Sequence, residues 1–426
     1  MTRAIVDIEQ PASHVVPLRD RLLAGECFMI RGAFSQLGVL ETLRQTSLRG
    51  IRRALGDQVA RRVEELGFEH VHEVIDAADI PLVTEYSYQE ALKVAPSVLR
   101  RAVPAVLGTD APFYFEPFPN VRFHVPYDNA SALRKEFQDF GKKRGDGKIT
   151  AHGPHRDSWL DCPRNSINIW VAVGPVDEGN GMVVYPEVYS APVPHDGCHI
   201  VKDAGPGVAS RFAMQPGDAF VFHGDQLHAS TLNYTSLTRH VISFRLTLAR
   251  PEFSGPQLHE YSYSPLAVAP FISGPLSWVP GVPAKLTKKY FTTRLRLVGE
   301  KLGALKPQTE APGSIPSSVR QAINYSPGEE LKPGDVRAFD QKTCLARLDS
   351  GKLVAFGRRC THEGADLALG YVEGERVRCP WHGLPFDVSS GKSPCQTLKA
   401  LKVYDSEERD GKVVVSPRAG SSHAAE

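Results

Sequence analysis

At 426 residues the chain exceeds the size at which one hydrophobic core stops growing, so more than one domain is expected. Hydrophobic content of 42%, charged content of 23% and a formal net charge of +2 describe an ordinary globular protein with no electrostatic reason to bind nucleic acid. Seven scattered cysteines make no disulfide framework, residues 1–17 lack the apolar core of a secretory leader, and prolines interrupt the uncharged stretch 261–284, so a cytoplasmic protein without a membrane span is expected.

Residues 27–31 read as a short strand and residues 36–55 as a helix. The texture then changes to short alternating runs between Gly and Pro, clearest at 167–173, 219–222 and 241–246, which predicts a β-sandwich or barrel. Residues 123–152, with Asp128, Lys135, Lys142, Lys143 and Arg144, are expected to form a lid or pocket rim. Residues 285–306 show a helical apolar period with a basic polar face, either a solvated bridging helix or a surface for an acidic redox partner. Residues 307–318 turn to Pro, Gly and Ser, which is linker composition. The expected division is a first domain at 1–300, a linker at 301–318 and a second domain at 319–426.

The second domain contains Cys360-Thr-His362 and Cys379-Pro-Trp-His382-Gly383. Each short loop offers one thiolate and one imidazole. Two thiolates on one iron and two histidines on the other is the ligand set of a Rieske [2Fe–2S] cluster. Cys₂His₂ also suits tetrahedral zinc, but zinc fingers usually pair Cys with Cys and His with His. The resemblance to Rieske ferredoxin domains extends over about residues 319–416, through Phe386-Asp387, Gly391 and Pro394. High-potential members carry an extra disulfide-forming cysteine in each loop and a Ser and a Tyr that donate to the cluster sulfurs; Ala365, Trp381, Leu384 and Phe386 stand there instead. Fewer donors stabilise the reduced cluster less, so the resemblance implies a low-potential ferredoxin type, nearer about −150 mV than +300 mV.

In the first domain, His155-Arg156-Asp157 is a pair that would project two ligands from one strand face, with His228 and Arg239 downstream. Two imidazoles and one carboxylate form a facial triad that leaves positions open on Fe(II). His223-Gly-Asp225 has the same spacing, but His228 follows it too closely to be a third ligand from another strand. Asn180-Gly181, Pro186, Pro216-Gly217-Asp218, His228-Ala-Ser230, Asn233, Ser236 and Arg239 together resemble the phytanoyl-CoA dioxygenase family of Fe(II)/2-oxoglutarate oxygenases over about residues 20–250. That resemblance implies a mainly β fold, a double-stranded β-helix (jelly roll) with flanking helices, joined here to a small all-β Rieske domain. It implies His155, Asp157 and His228 as iron ligands and Arg239 and Ser230 as 2-oxoglutarate contacts. Asn168 and Trp170 either line the pocket or pack in the core; Arg122 and His124 either line it or face solvent; His152 is a supporting or surface histidine.

The expected function is therefore a dioxygenase that oxidises a small-molecule substrate with O2 and 2-oxoglutarate as cosubstrate. A fused Rieske domain would deliver electrons to the iron, supplied by a nicotinamide-dependent reductase or a ferredoxin. One alternative is a reductase-dependent Rieske oxygenase without 2-oxoglutarate, although Asp196-Gly-Cys-His199 lacks the second histidine of the iron motif such enzymes carry. Another is an electron-transfer protein with an inert barrel. A homo-oligomer is expected if the linker cannot bring the cluster to its own iron.

Overall fold

The computed structural model describes residues 5–9, 18–116, 118–133, 152–160, 162–195, 199–201, 203–252, 264–266 and 322–418. The basic helix expected at 285–306, the linker at 301–318 and residues 134–151 of the expected rim lie outside these residues.

The first part is built on β1 (Ile5–Ile8), β2 (Cys27–Ile30), β3 (Phe113–Phe115), β4 (Asn120–His124), β5 (Ile167–Ala172), β6 (Met182–Val184), β7 (Ser210–Arg211), β8 (Ala219–His223), β9 (His228–Ser230), β10 (Arg239–Thr247) and β11 (Ser264–Leu266). The larger sheet runs β1-β2-β8-β5-β10-β3-β11, with β4 also paired to β10, and the smaller runs β7-β6-β9. From β5 to β10 the chain passes back and forth between these sheets. This is the double-stranded β-helix.

Strand alternation sets the layers. On β5, Ile167, Ile169 and Val171 join the core formed with helices Leu40–Leu55 and Ile80–Leu107, through Leu43, Ile51, Val83, Leu99 and Val103. Trp170 and Ala172 point the other way, into the space between the sheets, where they meet Met182 and Val184 of β6. Both faces of β5 are thus buried, and each fully buried Ile or Val contributes about 1.5–3 kcal/mol. The expected helix at 36–55 is divided: a short turn at Ala33–Gln36 precedes helix Leu40–Leu55, because Gly38 at φ 62° breaks the path between them.

The smaller sheet has a second face. Val183 of β6 and Ala229 of β9 point away from the sheet interior and belong to one apolar core with Cys360, Trp381, Leu384 and Phe386 of the C-terminal part. That part comprises β12 (Val336–Ala338), β13 (Thr343–Arg347), β14 (Leu353–Gly357), β15 (Tyr371–Glu373), β16 (Arg376–Arg378), β17 (Pro385–Asp387), β18 (Val403–Arg409) and β19 (Lys412–Pro417). They form a five-stranded sheet, β12-β13-β14-β18-β19, and a three-stranded sheet, β15-β16-β17. The small sheet of the jelly roll is therefore the layer between the sheet interior and the C-terminal domain. Among the described residues no helix is long and apolar enough to cross a membrane.

Candidate metal centres

His155, Asp157 and His228 converge between the sheets, all buried, with ligand atoms within 4.8 Å of one another. His155 and His228 are paired by an isolated antiparallel bridge, with reciprocal N–H to carbonyl bonds of 2.9 and 3.0 Å. The sequence expectation that His155 and Asp157 share a strand face does not hold. Asp157 opens a 3-10 turn, Asp157–Leu160. Pro154 supplies no ladder donor, and the N–H of Trp159 closes back on the carbonyl of Arg156 at 3.1 Å, so the strand ends at once. Asp157 reaches the site because its own N–H bonds the carbonyl of Gly224 at 3.0 Å.

The histidine tautomers follow from their partners. Nδ1 of His155 lies 2.8 Å from the carbonyl of Gly153, and Nδ1 of His228 lies 2.8 Å from the carbonyl of Gln226. A carbonyl only accepts, so each Nδ1 carries the proton and each Nε2 keeps its lone pair. Burial lowers the pKa of both rings, which keeps them neutral. For Asp157 burial alone would raise the pKa, but Arg245, His228 and Asn168 outweigh it and hold the group ionised. Nδ2 of Asn168 donates to Oδ2 at 2.6 Å, while Arg245 donates from Nε to Oδ2 at 3.2 Å and from Nη2 to Oδ1 at 3.1 Å. Two neutral imidazoles and one carboxylate fit a divalent iron.

Arg245 and its second partner, Glu116 at 3.2 Å, were missed in the sequence. The available signal was the alternation of β10: Arg239 and Arg245 lie an even number of residues apart, and Arg245 is directly opposite Asn168 in the ladder. Asn168 thus acts on Asp157, while Trp170 forms a wall beneath the Arg239 guanidinium, 5.3 Å from ring centroid to Cζ.

Arg239 is fully buried. Its Nη1 donates to the carbonyls of Asn180 and Gly181 at 2.7 and 2.6 Å, whereas Nε and Nη2 have no hydrogen-bond partner. Burial, reinforced by neighbouring Arg122, pushes its pKa well down. Arg122 donates to Oγ of Ser230 at 2.9 Å. Two guanidinium groups and a hydroxyl thus lie close together, with Arg239 and Ser230 buried and Arg122 half-buried. An anion there would relieve both the unpaired donors and the cation repulsion.

The second centre has a different construction. Two loops repeat one backbone pattern: Cys360 N–H bonds Ala365 O at 3.0 Å and Gly364 N–H bonds Cys360 O at 2.9 Å; Cys379 N–H bonds Leu384 O at 3.0 Å and Gly383 N–H bonds Cys379 O at 3.1 Å. Gly364 at φ 77° and Gly383 at φ 65° close the loops in a conformation that a side chain would strain. Backbone N–H groups of His362 and Glu363 point at the Cys360 sulfur, and those of Trp381 and His382 at the Cys379 sulfur. The thiols hydrogen-bond one another, which raises the pKa of Cys360. Burial acts to raise that of Cys379, but its contact with Cys360 and the two N–H groups lower it. The rings of His362 and His382 lie 5.0 Å apart. Paired sulfurs with four converging N–H donors and two adjacent imidazoles fit a cluster that carries negative charge on sulfur.

The second loop is seated on the jelly roll. The Tyr185 hydroxyl, just after β6, lies 2.8 Å from the carbonyl of Pro380 and 2.5 Å from that of Trp381. The rings of Tyr127 and His362 meet edge-on at 5.9 Å, Arg378 donates to the Tyr234 hydroxyl at 3.1 Å, and Arg211 pairs with Glu373. These contacts set the second cluster loop against the small sheet that carries His228.

This fold and these paired loops define an iron–sulfur protein of the Rieske type. Residues 321–405 match the family model of the Rieske [2Fe-2S] domain, and through them the chain belongs to that family. It is 35% identical over 80 residues to the ferredoxin component of the naphthalene 1,2-dioxygenase/salicylate 5-hydroxylase systems of a Ralstonia species, which covers 18% of this chain and 76% of that protein. It is 49% identical over 66 residues to apoptosis-inducing factor 3 of Mus musculus, 15% of this chain and only 11% of that one. Among solved structures, the jelly-roll part is similar to the epimerase SnoN in complex with Fe3+, α-ketoglutarate and nogalamycin RO, at 17% identity and a TM-score of 0.32, over 54% of this chain and 82% of that chain.

Proposed function

We propose that this chain is an Fe(II)/2-oxoglutarate-dependent oxygenase of a small-molecule substrate, in which the Rieske domain delivers electrons to the catalytic iron. The observation that carries this reading is the buried trio His155, Asp157 and His228, with ligand atoms within 4.8 Å and both imidazoles neutral. Fe(II) held there would supply O2 activation and Lewis-acid chemistry. The carbonyls of Gly153 and Gln226 fix the two rings, while Asn168 and Arg245 hold the Asp157 carboxylate in place. Arg239, with two unsatisfied nitrogens, would take the far carboxylate of 2-oxoglutarate together with Ser230 and Arg122. Trp170 and Phe222 keep this space apolar and exclude water.

Cys360, Cys379, His362 and His382 would hold the [2Fe–2S] cluster. Buried Leu384 and Phe386 offer no hydroxyl donor to it, which supports a low potential. A nicotinamide-dependent reductase or a ferredoxin is the matching class of electron donor.

A second reading, a reductase-dependent oxygenase without 2-oxoglutarate, draws on the seating of the cluster loop against the sheet that carries His228. One assay separates the two. Reconstituted anaerobically with Fe(II) and then given O2, the protein is expected to release succinate from 2-oxoglutarate. Oxidation that needs reductase and NADH, with no succinate, would establish the second reading instead.

A further inference from the structure

Two histidines that neither centre uses stand between them. Nε2 of His199 lies 3.1 Å from Nδ1 of His152, and their rings are 4.8 Å apart. The His152 ring is in turn 4.2 Å from that of His155. At the other end, His199 is near enough to His382 to act on its charge, adding to the burial that pushes that ring's pKa down to about 3. His152, also driven to about 3, first by burial and then by His199, is a neutral ring.

The backbone is arranged around this file. Gly153 lacks a Cβ where one would meet the His199 ring at 3.2 Å. The N–H of Ile200 bonds the carbonyl of Pro154 at 2.9 Å, tying the His199 segment to the one that bears His155. The N–H of Ser230 bonds the carbonyl of His152 at 3.1 Å, tying it to β9. The cluster end is held by Tyr185 through the carbonyls of Pro380 and Trp381, the residues just before His382. Two of these stitches fix rings that have no assigned task, and the third fixes the cluster loop beside them.

Resting on the reading that the cluster serves the iron, we propose that His199 and His152 are the electron route between the centres, so that His382, His199, His152 and His155 form a file of imidazoles within one chain. Tunnelling falls steeply with distance, and the rings of His199, His152 and His155 are in contact, one pair joined by a hydrogen bond, so they shorten the path that starts from His382. Along this file His199 and His152 pass one electron from the reduced cluster to ferric iron. The cluster ends oxidised by one electron and the iron ferrous; no bond or proton has to move. An external donor of the flavoprotein-reductase or ferredoxin class recharges the cluster. His199 and His152 are positioning and relay residues, since neither lies among the ligand sets.

The test uses the full chain loaded with cluster and ferric iron, without O2 or substrate, and a photoreduced flavin as electron donor. Decay of the reduced-cluster absorbance is followed alongside loss of the ferric electron-paramagnetic-resonance signal. His199→Leu is expected to slow this internal transfer roughly tenfold or more, the scale on which the supporting partners of metal ligands act. Its cluster spectrum, midpoint potential and iron content are expected to match the parent. His199→Gln, which keeps a polar group near the position of Nε2, is expected to recover most of the rate. A parent-like rate in His199→Leu, or a slowing matched by a shifted potential, would overturn the route while leaving electron delivery intact. No ferric reduction in the parent would overturn electron delivery and the route with it.

Discussion

The two centres of this chain are built on opposite principles. The cluster loops are local: each closes on itself through two backbone hydrogen bonds and a left-handed glycine, and the two loops repeat one pattern. The candidate iron pocket is not local. His155 and Asp157 lie on a bridge and a turn, His228 on β9, Asn168 on β5 and Arg239 and Arg245 on β10, so only the closed sandwich assembles it. Ligands on short loops make a preformed clamp; ligands scattered over a fold make a pocket whose walls are set by the same strands that carry them.

The largest effect expected to test that contrast comes from His155→Ala. It should abolish iron binding and substrate oxidation while leaving the visible spectrum of the cluster unchanged. Loss of both centres together would mean that the pocket and the loops do not assemble separately. Next, Arg239→Met should raise the KM for 2-oxoglutarate roughly ten- to hundredfold, since a charged hydrogen bond contributes about 1.5–3 kcal/mol. Steady-state kinetics with succinate as readout would check it, and an unchanged KM would move the carboxylate site elsewhere. The smallest effect is Tyr185→Phe, which leaves the carbonyls of Pro380 and Trp381 without their hydroxyl donor. About 1–3 kcal/mol of destabilisation is expected, read by thermal unfolding of both centres at once. Separate transitions, with only one of them shifted, would show that the shared core does not couple the domains.

The same contrast explains what was legible in the sequence. Cys360, His362, Cys379 and His382 could be read from spacing because their geometry is made within a few residues. The jelly roll was visible in the alternation at 167–173, 219–222 and 241–246, which β5, β8 and β10 reproduce closely. The alternation of β10 placed Arg245 on the face of Arg239, but its partner was hidden, because Asp157 is distant in sequence and meets it only through the ladder of β5 with β10. Helix Ile80–Leu107 was hidden by Pro96 and Pro104, which the surrounding packing tolerates. His199 was noticed only as part of an incomplete motif, since nothing in its neighbourhood announces His152 as a partner.

On the proposed reading that the cluster serves the iron, the seating of the second cluster loop on the small sheet would also set a direction of traffic. A diffusing carrier must present one exposed rim first to its donor and then to its acceptor, so that each docking blocks the other. Here the histidine rim is turned toward the chain's own jelly roll, so an external donor would approach from another side of the domain. Loading and discharge would then occupy separate gates and could overlap in time. Discharge would also become independent of dilution, because the chain itself would fix the local concentration of the acceptor.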